Sequence, residues 1–383
     1  MSPHDTAKHE MCQKRDRYGF KLPVQWVTVE HLRRVENHYQ HVLQCQSVKW
    51  RQFLTENDNQ WPSKSPKLKR YVRKGIPQAL RGQAWMHYSG AKAKMDLQPT
   101  LYDELVREAN TMNSQNEYVD MIQRDLHRTF PDNIRFCCAV LAEDGSTLMD
   151  PEANQELQKL RRVLLAFTLY SPDIGYCQSM NFLVGYFLLF VTEAEAFWLL
   201  VATVHDHFPK SMFDQTMEGA HIDQAVLMML VYEKMPGVWN RIASRRCFWE
   251  CEQTDNLPPS TLVTSHWFLT LFVNILPIET VLRVWDCLYT EGYEVVFRVA
   301  LTIIKLNEKK IWSAEDSMDS LQILQNMPRR LIDCHQLMEQ VFSENGIASD
   351  LSEQDIFRRR SILKTRRAQR KTSSSTLDPF PWF

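Results

Sequence analysis

Glycine is scarce, with 11 in 383 residues. Long stretches free of Gly and Pro disfavour a chain of tight turns and favour helix. Sustained apolar–polar alternation between turn residues is also missing, so a sheet is not expected. No CxxC pair occurs among the nine cysteines. An odd, dispersed set fits reduced thiols better than a disulfide framework. The longest apolar run, FLVGYFLLFV (Phe182 to Val191), is too short to span a bilayer. A second, WFLTLFVNILPIETVL, is interrupted by Pro277 and Glu279. No transmembrane segment is therefore expected. The opening MSPHDTAKHEMCQKRD is polar and charged, unlike a secretory signal. A soluble intracellular protein is the expectation. There is no GxxxxGK[ST] loop and no GxSxG, so neither a P-loop nucleotide site nor a nucleophile elbow is predicted. A net charge of -1 predicts no general nucleic-acid affinity.

That neutrality is uneven. Eight of the 45 Lys and Arg lie in 358–371, which holds no acid; the remaining 37 face 46 acids, a net charge of -9 elsewhere. The basic run reads as a solvated tail, with weak contact to anionic lipid, an acidic partner or a nuclear signal as alternatives.

What is present is helical patterning. Residues 1–66 read as a polar leader, a helix or two around VEHLRRVENHYQHVLQCQSVKWRQFL, and a Pro/Ser linker at 62–66. From about 71 to 300 the chain is a run of amphipathic helices. In LQKLRRVLLAFTLY, Leu157, Leu160, Leu164 and Phe167 share one face, with Lys159, Arg161 and Arg162 off it. DQAVLMMLVYEKMP and WFLTLFVNILP each read as helices ending at proline, and Gly292 is placed to cap PIETVLRVWDCLYTEG. Residues 301–350 continue the same body. The stretch 351–383, basic, then Ser/Thr-rich, then DPFPWF, reads as disordered. The predicted fold class is all-α, one multi-helix domain with a helical N-terminal extension and a disordered C-terminal tail.

Two polar positions stand out. Arg128 closes Asp-Leu-His-Arg, just before Phe130 and Pro131, which suggest that a helix stops just beyond it. Its planar fork suits phosphate or carboxylate oxygens. Asp125, three residues earlier, shares its helical face; a plain surface ion pair is the simpler reading. Gln178 follows a turn at SPDIG and opens an apolar helix, among Tyr176, Met180 and Phe182. A buried glutamine satisfied by backbone is the simpler reading there. Together, a fixed cation and an amide able to orient one water match phosphoryl transfer to water. The triplet His205, Asp206, His207 lacks further ligands at metal spacing, so no metal site is predicted.

With these residues in view, the chain resembles the TBC domain of GTPase-activating proteins for Rab-type small GTPases. The resemblance rests on KGIPQALRGQAW (Lys74 to Trp85), IQRDLHRTFP, GYCQSMNF and WFLTLFVNILPIETVLRVWDCLYTEG, in that order. It implies an all-helical fold and a dual-finger mechanism. Arg128 corresponds to the catalytic arginine and Gln178 to the water-orienting glutamine. Asp125, Tyr176 and Ile122 would support the two, and Arg81 and Trp85 look structural. The implied partner is a GTP-bound Rab, whose GTP and Mg²⁺ are its own, so no cofactor is expected here. A cytoplasmic role in vesicle trafficking, peripheral to endomembranes through that partner, would follow; the alternative is a non-catalytic module serving as effector or scaffold. The family usually has glycine after the glutamine; this chain has Ser179, which matters if the site needs positive φ.

Overall fold

The computed structural model describes residues 15–375 apart from 112–115, 138, 142–146 and 215. The leader through residue 14 and the DPFPWF end lie outside the described residues. A single long helix, α1 (Val29–Thr55), is capped by the Thr28 hydroxyl, which accepts the His31 N–H. The Pro/Ser linker is a helix start. Ser65 accepts the Leu68 N–H and Pro66 occupies the first turn of α2 (Pro66–Lys74), where its missing N–H leaves nothing unpaired.

Next come α3 (Gln78–Tyr88), α4 (Ala91–Leu97), α5 (Leu101–Ala109) and α6 (Glu117–Leu126). A short antiparallel ladder pairs β1 (Ala139–Leu141) with β2 (Thr147–Met149); no larger sheet forms among the described residues. Helix resumes with α7 (Gln155–Tyr170), α8 (Met180–Phe187) and α9 (Glu193–Ala202). The α7 face expected to be apolar is buried, and Asn154 caps it by accepting from Glu156 and Leu157. Thr192 and Glu195 close a capping box on α9.

The remainder is α10 (Glu218–Lys234), α11 (Pro236–Ile242), α12 (Phe248–Gln253), α13 (Ser260–Leu269), α14 (Ile278–Glu291), α15 (Glu294–Leu306), α16 (Glu308–Trp312), α17 (Ser317–Asn326), α18 (Cys334–Val341) and α19 (Glu353–Ser375). The body is organised around α14, buried from Thr280 through Thr290 and ended by Gly292 at φ 121°. Trp85, Phe187 and Tyr289 pack around or beside Trp285 and one another, their ring centroids 5.2 to 6.4 Å apart. The N-terminal extension is part of this body: Tyr39 donates to Glu279 at the start of α14 at 2.7 Å, and the Trp50 indole donates to the Gly75 carbonyl at 2.9 Å.

Two expectations from the sequence need correcting. WFLTLFVNILP is not one helix running to Pro277. It stops at Leu269, and Leu271, Phe272 and Asn274 take positive φ. Leu271, Phe272 and Val273 are fully buried there, and the Trp285 indole donates to the Leu271 carbonyl at 3.0 Å. Core packing outweighs local helical preference.

The second correction concerns the tail. From 353 to 375 it is helix α19, laid against α10. Ile356 and Leu363, seven apart on one face, are buried. Arg359 meets Glu233 at 2.7 Å, Arg366 meets Glu252 at 3.0 Å, and Arg367 meets Asp255 at 3.1 Å. Arg360 pairs with the fully buried Asp223, and Arg370 with Glu252 at 2.6 Å. A basic run that looked solvated therefore spends five arginines on an acidic wall drawn from α10 and the end of α12. The wall is more than a hundred residues earlier in the chain, beyond the reach of any local pattern.

Candidate functional site

The chain turns sharply after α6. Helix bonding ends at Leu126, with His127 as the cap, so Arg128 stands two residues past the helix end rather than inside it. Phe130 adopts φ 52° and buries its ring against Phe136, Phe182 and Tyr186. That burial offsets the cost of the left-handed backbone, which turns the chain away just beyond the arginine. Arg128 remains 42% exposed at its side chain.

Asp125 orients the guanidinium. It is 7% exposed, so the pair is not the surface contact that spacing alone suggested. One carboxylate oxygen, Oδ1, accepts from Arg128 Nε at 2.7 Å and lies 2.6 Å from Nη2. The other, Oδ2, accepts from the Tyr176 hydroxyl at 2.5 Å. Burial, reinforced by this carboxylate, pushes the Tyr176 phenol well above its usual range, so it stays a donor at any physiological pH. Ile122, fully buried one turn before Asp125, anchors the helix in the core.

Tyr176 leads into Gln178 two residues later. Gly175 begins that stretch at φ 64°, where a β-carbon would fall 2.3 Å from the Tyr118 ring; the close approach requires glycine. Gln178 is exposed, not buried, just before α8. With its amide turned to satisfy both groups, Gln178 Oε1 lies 3.0 Å from Arg128 Nη2 and 3.2 Å from Nη1. The two side chains expected to cooperate therefore touch. They share a surface pocket of about 410 Å³ with Met121, Arg124, Asp125, His127 and Tyr176.

Chemically, this is a guanidinium fixed along one edge by a buried carboxylate, with its outer edge presented to solvent beside a carboxamide. Such a pair can receive an anionic oxygen and hold a water next to it.

A family model described as the Rab-GTPase-TBC domain matches residues 78–312, more than half the chain. This protein belongs to the Rab-GTPase-TBC family. Curated relatives agree. Growth hormone-regulated TBC protein 1 of Homo sapiens is 36% identical over 346 residues, covering 90% of this chain and 94% of its own. GTPase-activating protein GYP3 of Saccharomyces cerevisiae is 34% identical over 94% of this chain, which spans 65% of the yeast protein's length. Among solved structures, the Chlamydomonas flagellar RabGAP TBC domain superposes with a TM-score of 0.66 at 29% identity, covering 87% of this chain and all of that one.

In this TBC chain Ser179 does sit at positive φ, 104°. Its hydroxyl makes no cap bond to α8. It donates instead to the Leu269 carbonyl at 3.2 Å, at the point where α13 breaks. Arg81 and Trp85 of the TBC domain lie elsewhere, in the buried centre. Arg81 Nε donates to Asp286 at 3.1 and 3.2 Å, its Nη2 to Glu279 at 3.0 Å, and the Trp85 indole to Asp286 at 2.9 Å.

The His205–His207 triplet is also occupied by packing contacts. His205 Nε2 lies 2.6 Å from the Ser171 hydroxyl, Asp206 pairs with Lys94 at 3.1 Å, and His207 Nε2 is 3.2 Å from the Ser89 carbonyl. Among the described residues no cluster is arranged to hold a metal, and no helix is long and apolar enough to cross a membrane. Sequence reasoning missed Thr129 and Asn181, which lie beside the Arg128 and Gln178 segments. An asparagine inside the apolar run MNFLVGYF was the available signal.

Proposed function

We propose that this chain is a GTPase-activating protein for a GTP-bound Rab-family GTPase, acting through Arg128 and Gln178. The guanidinium neutralises charge developing on the partner's terminal phosphate, and the carboxamide aligns the attacking water. GTP and Mg²⁺ arrive with the partner, so the TBC chain supplies only positioned side chains.

The observation that carries the reading is the contact between the two groups on an open surface, with Asp125 holding the arginine from below. Gln178 Oε1 rests on the Nη1–Nη2 edge, the edge best shaped for a phosphate oxygen. Engagement of the partner would exchange amide for phosphate on that edge and release the carboxamide toward water. Supporting this, the relatives named GTPase-activating proteins share most of this chain's length.

The test is single-turnover GTP hydrolysis by a panel of purified Rabs loaded with GTP. Stimulation of at least one Rab by the native chain, and its loss in both Arg128→Ala and Gln178→Ala, is the expected result. A chain that binds GTP-loaded Rabs without accelerating any of them is an effector or scaffold instead.

A further inference from the structure

Between the two finger segments lies a chain of buried polar groups. The Thr129 hydroxyl donates to the Asp125 backbone carbonyl at 2.7 Å and accepts from Asn181 Nδ2 at 2.8 Å. Asn181 Oδ1 in turn accepts the Ser179 N–H at 3.3 Å. Thr129 and Asn181 are both fully buried. Asn181 sits in the first turn of α8 between Met180 and Leu183, which are themselves fully buried. A leucine would bury there without the desolvation cost that an amide carries unless its hydrogen bonds are met. Both ends of this amide are met, and each reaches a different finger segment.

The bonds bracket the fingers. Arg128 lies between Asp125 and Thr129; Gln178 lies between Tyr176 and Ser179. Asp125 is joined to Tyr176 through its side chain, and its backbone is joined to Ser179 through Thr129 and Asn181. Each exposed finger is thus held by a pinned residue on either side, and the pins are tied across.

We infer that Thr129 and Asn181 form a positioning joint that holds the arginine and glutamine fingers at contact distance before a partner arrives. Neither residue touches the reacting atoms. The inference rests on the finger reading above and extends it to the device that keeps the fingers in register. Its physical basis is that a catalytic group displaced by about 1 Å can lose on the order of 100-fold in rate.

The experiment measures single-turnover GTP hydrolysis against chain concentration, with a Rab that the native chain stimulates, and thermal unfolding of each variant. Thr129→Val removes the hydroxyl at constant shape, and Thr129→Ser restores it. Asn181→Asp keeps the shape, but its carboxylate takes the Thr129 proton away from the Asp125 carbonyl. Expected for folded Thr129→Val and Asn181→Asp is a saturating rate reduced about 10- to 100-fold, a half-saturating concentration within about 3-fold of native, and recovery in Thr129→Ser. Full rate in both variants overturns the joint, as does equal loss in the Val and Ser variants of Thr129. A defect confined to the half-saturating concentration overturns it too, because it marks a docking contact. If one variant does not fold, the other decides. Arg128→Ala run alongside separates the two layers of the argument. If it is inactive while the joint variants are native-like, only the joint fails; if it is active, the finger reading fails and the joint's role with it.

Discussion

Two arginines in this molecule each meet a carboxylate, and their surroundings make them opposites. Arg81 is 1% exposed and gives its fork to Asp286 and Glu279 and another donor to the Tyr18 hydroxyl. Each of its three nitrogens has a partner. Its carboxylates are engaged too, since Asp286 also accepts from the Trp85 indole and the Ile76 N–H. Arg128 gives its Nε–Nη2 side to Asp125, and its outer Nη1–Nη2 edge lies beside the exposed Gln178. The same pairing is a fastener at one site and a mount at the other. Burial decides which, because a fork whose nitrogens are all paired inside a closed cluster has no open edge for a visiting anion.

Substitutions that separate the two should therefore differ in kind as well as size. The largest expected effect is at the open site. Arg128→Lys keeps the charge and loses the fork, so, on the proposed finger role, most of an acceleration on the order of 10³ to 10⁵ in rate should vanish. That corresponds to about 4 to 7 kcal/mol of barrier. Melting temperature should stay near native, and a simple assay of hydrolysis and thermal unfolding on one preparation reads both.

At the closed site the pattern inverts. Arg81→Ala strands Asp286 and Glu279 in the core, which should cost about 3 to 5 kcal/mol of stability in denaturant titration. Any loss of activity there should track the unfolded fraction. An Arg81→Ala chain with native stability would remove the contrast.

Acid probes the same cluster more gently. Burial alone would raise the Glu279 carboxyl, but Arg81 and the hydroxyls of Tyr18 and Tyr39 outweigh it and hold the group at about 2, against 4.5 for a free glutamate. A carboxylate with a depressed folded value stabilises the fold above its unfolded value. Glu279 therefore contributes in full above about pH 4.5 and progressively less as pH falls toward 2. The contribution is on the order of 3 kcal/mol. Melting temperature followed down that window should drop, and Glu279→Gln should flatten the drop.

The smallest effect sharpens the open site. Ser179 combines a positive φ, costing about 1 to 2 kcal/mol for a non-glycine residue, with a hydroxyl bond to Leu269 that contributes about 1 kcal/mol. Ser179→Gly removes both and should change stability by less than about 1 kcal/mol. Ser179→Ala keeps the backbone strain and loses the bond, so it should be the less stable of the two. The reverse order, read from paired unfolding curves, would mean that the positive φ imposes no strain on a β-carbon at this position.

Much of this was legible in the residues. Helical class followed from apolar spacing and the shortage of glycine, and the α7 face and the Gly292 cap appeared where the pattern put them. Arg128, Asp125, Tyr176 and Gln178, which the structure brings into contact, lie in two short motifs, with the partners within each only two or three positions apart. Other features were not legible, for one recurring reason. The break at Leu269 depends on Leu271 and Phe272 finding space beside Trp285. The α19 helix depends on acids at 223, 233, 252 and 255. The link between Thr129 and Asn181 joins residues 52 positions apart.

The sequence by itself determined that the chain would be helical, which local segments carry a guanidinium and a carboxamide close to a carboxylate and a phenol, and that Gly292 would end a helix. Those properties arise from interactions within one or two turns. Tertiary structure alone decided which arginine would be sealed and which left open, whether a basic run would be solvated or clasped, and that two segments some fifty residues apart would meet edge to edge. Burial and pairing are set by what the rest of the fold brings alongside, and charge, hydrogen bonding and backbone strain take their consequences from that company.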